Sequence, residues 1–126
     1  MRWNLLAGAL ILIALTGAAV HAVQAADEPT ELTGNVVKIQ DIVKNESAYD
    51  GKDAVIQGRI DLECASGCWF ILNDGSASLY VNILPSNFVI PQKSGSDAKV
   101  YGKVITKNGD PTLIGKIVLI DGVVYR

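Results

Sequence analysis

Residues 54–62 (AVIQGRIDL) alternate between the two sides of an extended chain. Ala54, Ile56, Gly58, Ile60 and Leu62 fall on one side, and Gln57, Arg59 and Asp61 on the other. A period of two is the mark of a β-strand with one face in a core. Residues 69–73 and 79–84 have the same character and flank Asp74-Gly75-Ser76-Ala77, whose Asp-Gly pair signals a hairpin turn. The alternation sends Phe70 and Leu72 inward with Leu79, Val81 and Ile83, so Trp69 and Tyr80 face outward. Residues 85–95 hold Pro85 and Pro91, which keep that stretch out of a central strand. Residues 98–106 form a fourth strand, and residues 113–120 a fifth after the turn Asn108-Gly109-Asp110-Pro111.

Ahead of the strands, Ile39, Ile42 and Val43 follow helical spacing, and Asp50-Gly51 ends the pattern. The spacing predicts one short helix over residues 39–49. Residues 26–34 are polar, with Pro29 and Gly34, and are expected to be a linker. Gly58 and Gly102 both fall on the inward face of a strand, in Ile56-Gln57-Gly58-Arg59-Ile60 and Val100-Tyr101-Gly102-Lys103-Val104. An inward strand glycine marks a bulge or a sharp bend. Two of them among five strands predict a sheet that coils into a barrel.

The first residues change the setting. Arg2 precedes an uncharged apolar run over residues 5–20, followed by His21-Ala22-Val23-Gln24-Ala25. This is the three-part pattern of a signal peptide over residues 1–25, cut after Ala25 or after Ala22. An uncut apolar run would instead anchor the chain in a membrane, since it nears the ~20 residues of a spanning helix. Cleavage predicts an extracytoplasmic domain, periplasmic or secreted, over residues 35–126 with no membrane span. It also removes the single histidine, His21, and the single methionine, Met1. Loss of Arg2 leaves 10 Lys+Arg against 13 Asp+Glu, a charge of −3. Without imidazole or thioether, the mature chain lacks a histidine general base, a histidine metal site and the usual haem ligands. No C-x-x-C-H, G-x-S-x-G, Walker A, H-E-x-x-H or EF-hand pattern is present. Neither a cofactor nor an enzymatic activity is expected.

Five strands with a bent first strand, a long connection between strands 3 and 4 and one short helix resemble the OB-fold, a five-stranded Greek-key barrel. From Val36 onward the chain is similar to small exported OB-fold domains, in particular to a bacterial and archaeal group of unknown function. The likeness rests on Cys64, Gly67-Cys68-Trp69, Asp74-Gly75, Pro91, Gly58 and Gly102. Here the helix precedes the barrel rather than joining strands 3 and 4. The gap between the cysteines is shorter than is common in the group, and Ala77 stands where glycine is frequent. The resemblance implies a binding module whose ligand is a protein, an oligosaccharide or a small molecule.

Two constellations are candidate sites. Cys64-Ala65-Ser66-Gly67-Cys68 reads as a three-residue hairpin loop with its glycine left-handed and a cysteine on each flanking strand. Facing residues of an antiparallel pair lie within disulfide reach, and an oxidising compartment preserves the bond. A disulfide is the reading the spacing favours. A metal site would need Asp61, Glu63 or a second molecule to complete it. A redox pair on a hairpin would lack the helix dipole that acidifies C-x-x-C thiols.

The other constellation is the outer face of strands 2 and 3. OB-folds bind oligonucleotides and oligosaccharides there, and Trp69 and Tyr80 are its aromatics. Trp69 stands five residues before Asp74, the place of a base-stacking aromatic in OB-folds that read anticodons. The competing expectation packs Trp69 against the cysteines or under residues 85–95. Arg59 and Lys103 are candidates for a small basic spot beside the face. The other lysines are scattered, and the net charge is negative, which disfavours general nucleic-acid affinity. Asn45-Glu46-Ser47 matches the N-glycosylation sequon.

Overall fold

The computed structural model describes residues 28–126. The expected signal segment, including both cleavage sites, lies outside the described residues.

The helical stretch forms in two pieces, α1 (Ile39–Lys44) and α2 (Glu46–Tyr49). They break at Asn45, whose backbone leaves helical values (φ −129, ψ 46) while its side-chain amide donates to the Asp41 carbonyl. An asparagine that satisfies a nearby backbone group competes with the helix in this way. Ile39 and Ile42 are buried, whereas Val43, expected on the same face, is exposed.

Six strands follow: β1 (Asp53–Glu63), β2 (Trp69–Asn73), β3 (Ser78–Asn82), β4 (Asp97–Lys107), β5 (Asp110–Ile120) and β6 (Val123–Tyr125). Neighbouring strands pair in the order β3-β2-β1-β4-β5-β6. A parallel pairing of β3 with β5, through Tyr80–Thr112, Val81–Leu113 and Asn82–Ile114, closes the first five into a barrel. Every other pairing between strands is antiparallel. The fold is therefore mainly β: a closed five-stranded barrel with a short helical segment ahead of it. The sixth strand was not expected. Asp121 and Gly122 both adopt positive φ (52° and 79°), the two-residue turn that reverses β5 into β6. Asn108 and Gly109 (53° and 81°) make the same turn between β4 and β5.

Phe70, Leu72, Leu79, Val81 and Ile83 are all buried in the interior, as the alternation requires. Strand β1 departs from its expected pattern at one point. Its register on β2 slips between Ile60 and Leu62, so Asp61 is an extra residue and the side-chain phase inverts beyond it. Leu62 consequently points outward and is 59% exposed. The bulge of β1 thus sits at Asp61, not at Gly58. Gly58 is needed for close approach, because a Cβ there would stand 2.5 Å from the Asn73 carbonyl oxygen. Gly102 does lie at a register shift, between β4 and β5, where a Cβ would run into the Ile114 carbonyl.

The polar stretch ahead of the helix is not uniformly solvated. Thr30–Thr33 forms a 3-10 turn that packs on β4, and its Leu32 is wholly buried. Val36 bridges Val55, which points away from the barrel interior and is buried nonetheless.

Candidate functional site

Because Phe70 and Leu72 point inward, the other residues of β2 stand on its outer face. Tyr80 stands there on β3. The two aromatic rings meet with centroids 5.5 Å apart and planes tilted by 37°. Trp69 is half-buried and Tyr80 is 36% exposed. The pair is thus neither free in solvent nor part of the core.

Strand register extends this face into a band around the barrel. Leu62 pairs with Ile71, Ile71 with Tyr80, Tyr80 with Thr112 and Thr112 with Ile105. The next row runs from Trp69 through Asn82 to Ile114. Between the rows Tyr80, Asn82, Ile105, Lys107, Thr112 and Ile114 line a recess of about 220 Å³. Leu62 is on this face only because of the Asp61 bulge, which sequence alternation does not reveal. Ile105, Thr112 and Ile114 arrive through the parallel β3–β5 contact, a pairing between segments far apart in the chain.

The cysteines border the same face. Cys64 is opposite Trp69, its N–H donating to the Trp69 carbonyl at 2.9 Å, so the loop has four residues and Cys68 lies inside it. Gly67 is left-handed (φ +77), as the spacing predicted. The loop is held from outside: Ile90 N–H donates to the Gly67 carbonyl at 3.1 Å. The Gln92 side-chain amide donates to the Cys64 and Ala65 carbonyls at 2.9 and 2.8 Å. A Cβ on Gly67 would collide with the Ile90 carbonyl. The two Sγ atoms are 2.8 Å apart, inside van der Waals contact and outside covalent bond length. The Ser66 hydroxyl lies 3.1 Å from Cys64 Sγ and 3.6 Å from Cys68 Sγ. Contacts with Cys68 first and then Ser66 bring the Cys64 thiol down to about 6. The lowering comes from neighbouring side chains and not from a helix dipole. The Tyr80 phenol is pushed up by burial and, secondarily, by the charges of Cys68 and Cys64.

Arg59 and Lys103 do not form a basic spot. Arg59 pairs with Asp97 and Lys103 with Asp53 across the β1–β4 ladder, six residues apart along each strand. That is about 20 Å at strand rise. Each cation also has its own carboxylate: Arg59 Nε is 2.9 Å from Asp61, and Lys103 Nζ is 3.7 Å from Asp53. Asp61 and Glu63 are engaged with other groups rather than with the cysteines. Asp61 accepts from Arg59 and Asn73, and Glu63 accepts from the Lys93 and Ser94 N–H groups at 2.7 and 3.0 Å. Among the described residues no group of three His, Cys, Asp or Glu converges. A larger recess of about 480 Å³, lined by Gln57, Arg59, Asn73, Asp74 and Asp97, opens at the β2–β3 turn. Its Asp74 carboxylate is already committed: it accepts from Ile39 N–H (2.8 Å), Ser76 N–H (2.9 Å) and Ala77 N–H (3.2 Å). The sequon asparagine, Asn45, is exposed at the break between α1 and α2.

No protein-family model matches the chain, and no curated protein matches it. Among solved structures it is similar to the hypothetical protein ygiW from E. coli, at a TM-score of 0.51 and 16% identity. The likeness covers 69% of this chain and 90% of that one. At that identity the likeness shows the small barrel fold alone. Among the described residues no helix is long and apolar enough to cross a membrane.

Proposed function

We propose that this chain is an extracytoplasmic, non-enzymatic binding module that takes its ligand on the outer face of β2 and β3. The observation that carries this reading is the Trp69–Tyr80 pair. Two rings in contact at 5.5 Å stand on a sheet face, continued by the exposed Leu62 and by a recess. Adjacent apolar and aromatic side chains left partly exposed on one face are the kind of surface that takes a ligand. The groups around it are amides and hydroxyls (Asn82 and Thr112), with Lys107 as the single cation lining the recess. Such a face suits a ligand whose uncharged ring presents an apolar C–H face to the aromatics, an oligosaccharide above a polyanion. A nucleic acid would need several cations to neutralise its phosphates. The three-part pattern over residues 1–25 supports delivery outside the cytoplasm.

Trp69 is the only tryptophan beyond Trp3, so its fluorescence reports directly on the face. Titration with neutral oligosaccharides of several linkages is expected to shift its emission saturably, and Trp69→Ala to abolish binding measured by calorimetry. Saturable binding of single-stranded oligonucleotides, with no response to any sugar, would transfer the face to nucleic acid. Sugar binding that survives Trp69→Ala would remove the face from the proposal.

A further inference from the structure

The Cys64–Cys68 hairpin has a geometry that ligand binding does not use. The two sulfurs are already 2.8 Å apart, so a disulfide at ~2.05 Å needs an approach of only about 0.8 Å. The bonds from Ile90 and Gln92 hold the loop backbone in place independently of the two sulfurs. Both cysteines are half-buried rather than sealed in the core, and Ser66 between them is exposed. We infer that Cys64 and Cys68 are a reversible thiol–disulfide couple, with Cys64 the attacking sulfur and Cys68 the resolving one, exchanging with small-molecule disulfides and thiols. This goes beyond the binding reading and does not rest on it.

The exchange balances as follows. The Cys64 thiolate attacks one sulfur of a small disulfide, forming a mixed disulfide and expelling the first thiolate. Cys68 then attacks Cys64 Sγ, closing the Cys64–Cys68 bond and expelling the second thiolate. The two protons of the original thiols pass to the two leaving thiolates. The protein loses two electrons, and the small disulfide is reduced to two thiols. Excess small thiol reverses the sequence.

The assignment of roles comes from the surroundings of the two sulfurs. The Ser66 hydroxyl lies 3.1 Å from Cys64 Sγ and 3.6 Å from Cys68 Sγ, so a donor is closer to Cys64 and favours its thiolate. Its thiol is accordingly brought to about 6. Relative to an ordinary cysteine near 8.5, the thiolate fraction at pH 7 rises about 30-fold, while intrinsic nucleophilicity falls roughly ten- to twentyfold. The rate alone therefore changes little, and the pH profile is the informative measurement.

The test uses the protein as isolated from its host, reduced and then alkylated with iodoacetamide across pH 4–10, with labelled cysteines located by mass spectrometry. Cys64 is expected to label with a midpoint near 6, and Cys64→Ser to remove that phase. A midpoint at about 8.5 or above would overturn the assignment. In glutathione buffers of graded redox ratio the protein is expected to pass through one two-electron transition in both directions. Cys68→Ser is expected to accumulate a mixed disulfide with glutathione at Cys64. Thiols that stay reduced at every ratio, or a bond that resists a large excess of reduced glutathione, would each refute the reversible couple. The wild-type profile and the redox titration require no variant to fold.

Discussion

Asp74 joins two parts of the fold that are 35 residues apart, and its removal is the sharpest test of how the helix is held on the barrel. One carboxylate oxygen accepts the N–H of Ile39, the first residue of α1, at 2.8 Å. The other accepts the Ser76 and Ala77 N–H groups and the Ser76 hydroxyl at 2.9, 3.2 and 2.6 Å. In Asp74→Ala the N–H of the wholly buried Ile39 loses its partner, which costs ~1–3 kcal/mol. The turn loses bonds that water replaces in part, because Ser76 is exposed, for a further ~1 kcal/mol. The expected total is about 3 kcal/mol, and about 1.5 kcal/mol for Asp74→Asn, which keeps one acceptor oxygen. Burial alone would raise the Asp74 carboxyl, but the bonds from Ile39, Ser76 and Ala77 outweigh it and hold the carboxyl below its usual 3.8. A depressed folded-state value means that the stabilisation is complete above the unfolded value. It is then lost as pH falls through the lower folded one. Urea unfolding followed by circular dichroism should therefore show the full gap between wild type and Asp74→Asn at pH 5–7, closing below about 3.8. An Asp74→Ala protein within about 0.5 kcal/mol of wild type at pH 7 would refute this account of the docking.

Trp69→Ala should cost about 2 kcal/mol in the same assay, between the ~0.5–1.5 of an aromatic pair and the ~3–5 of an emptied core site, because the ring is half-buried. Gly58→Ala should cost about 3 kcal/mol, since its Cβ would meet only backbone, at 2.5 and 2.7 Å on Asn73. Gly34→Ala, with nothing within 4 Å, serves as the neutral control in the same denaturation series. Leu32→Ala should cost about 3 kcal/mol by thermal melting, and an unchanged Tm would mean that the Thr30–Thr33 turn does not hold to the barrel. Oxidised protein should exceed reduced protein by about 2 kcal/mol in urea, the chain-entropy value for so short a loop, and equal midpoints would contradict it.

The strands were legible where one face is dry. Phe70, Leu72, Leu79, Val81 and Ile83 alternate strictly, and β2 begins at Trp69 and ends at Asn73, the bounds the pattern gives. Legibility failed where the period was broken by a local event. The extra residue at Asp61 left Leu62 with the residue type of a core position and the orientation of a surface one. The Asn45 break was hidden because asparagine within a helical pattern is common enough to pass unnoticed. Strand β6 was missed although Asp121-Gly122 is a strong turn signal, because only Val123–Tyr125 follow it. At the site, Trp69 and Tyr80 were readable from alternation alone. Arg59 and Lys103 were misplaced because sequence cannot say that β1 and β4 run antiparallel in the register that sets them at opposite ends. The acidity of Cys64 depends on where Ser66 and Cys68 aim their side chains, which no spacing rule contains.

Closure of the ring by β3 and β5 also limits how anything else can attach. Where β3 and β5 meet, their N–H and C=O groups are turned toward each other, and β6 covers a further stretch of β5 over Val118–Ile120. The outer half of β1 carries the Val36 bridge, and the open side of β6 is only three residues long. A visiting peptide that docks by lengthening a sheet needs a long unpaired edge, and this barrel offers only short ones. A partner that docks on this barrel would then meet side chains standing on the sheet rather than main-chain hydrogen bonds along it. The same economy of edges leaves little unpaired strand among the described residues for a second copy to pair with, even with a hydrophobic residue such as Leu62 held out in water.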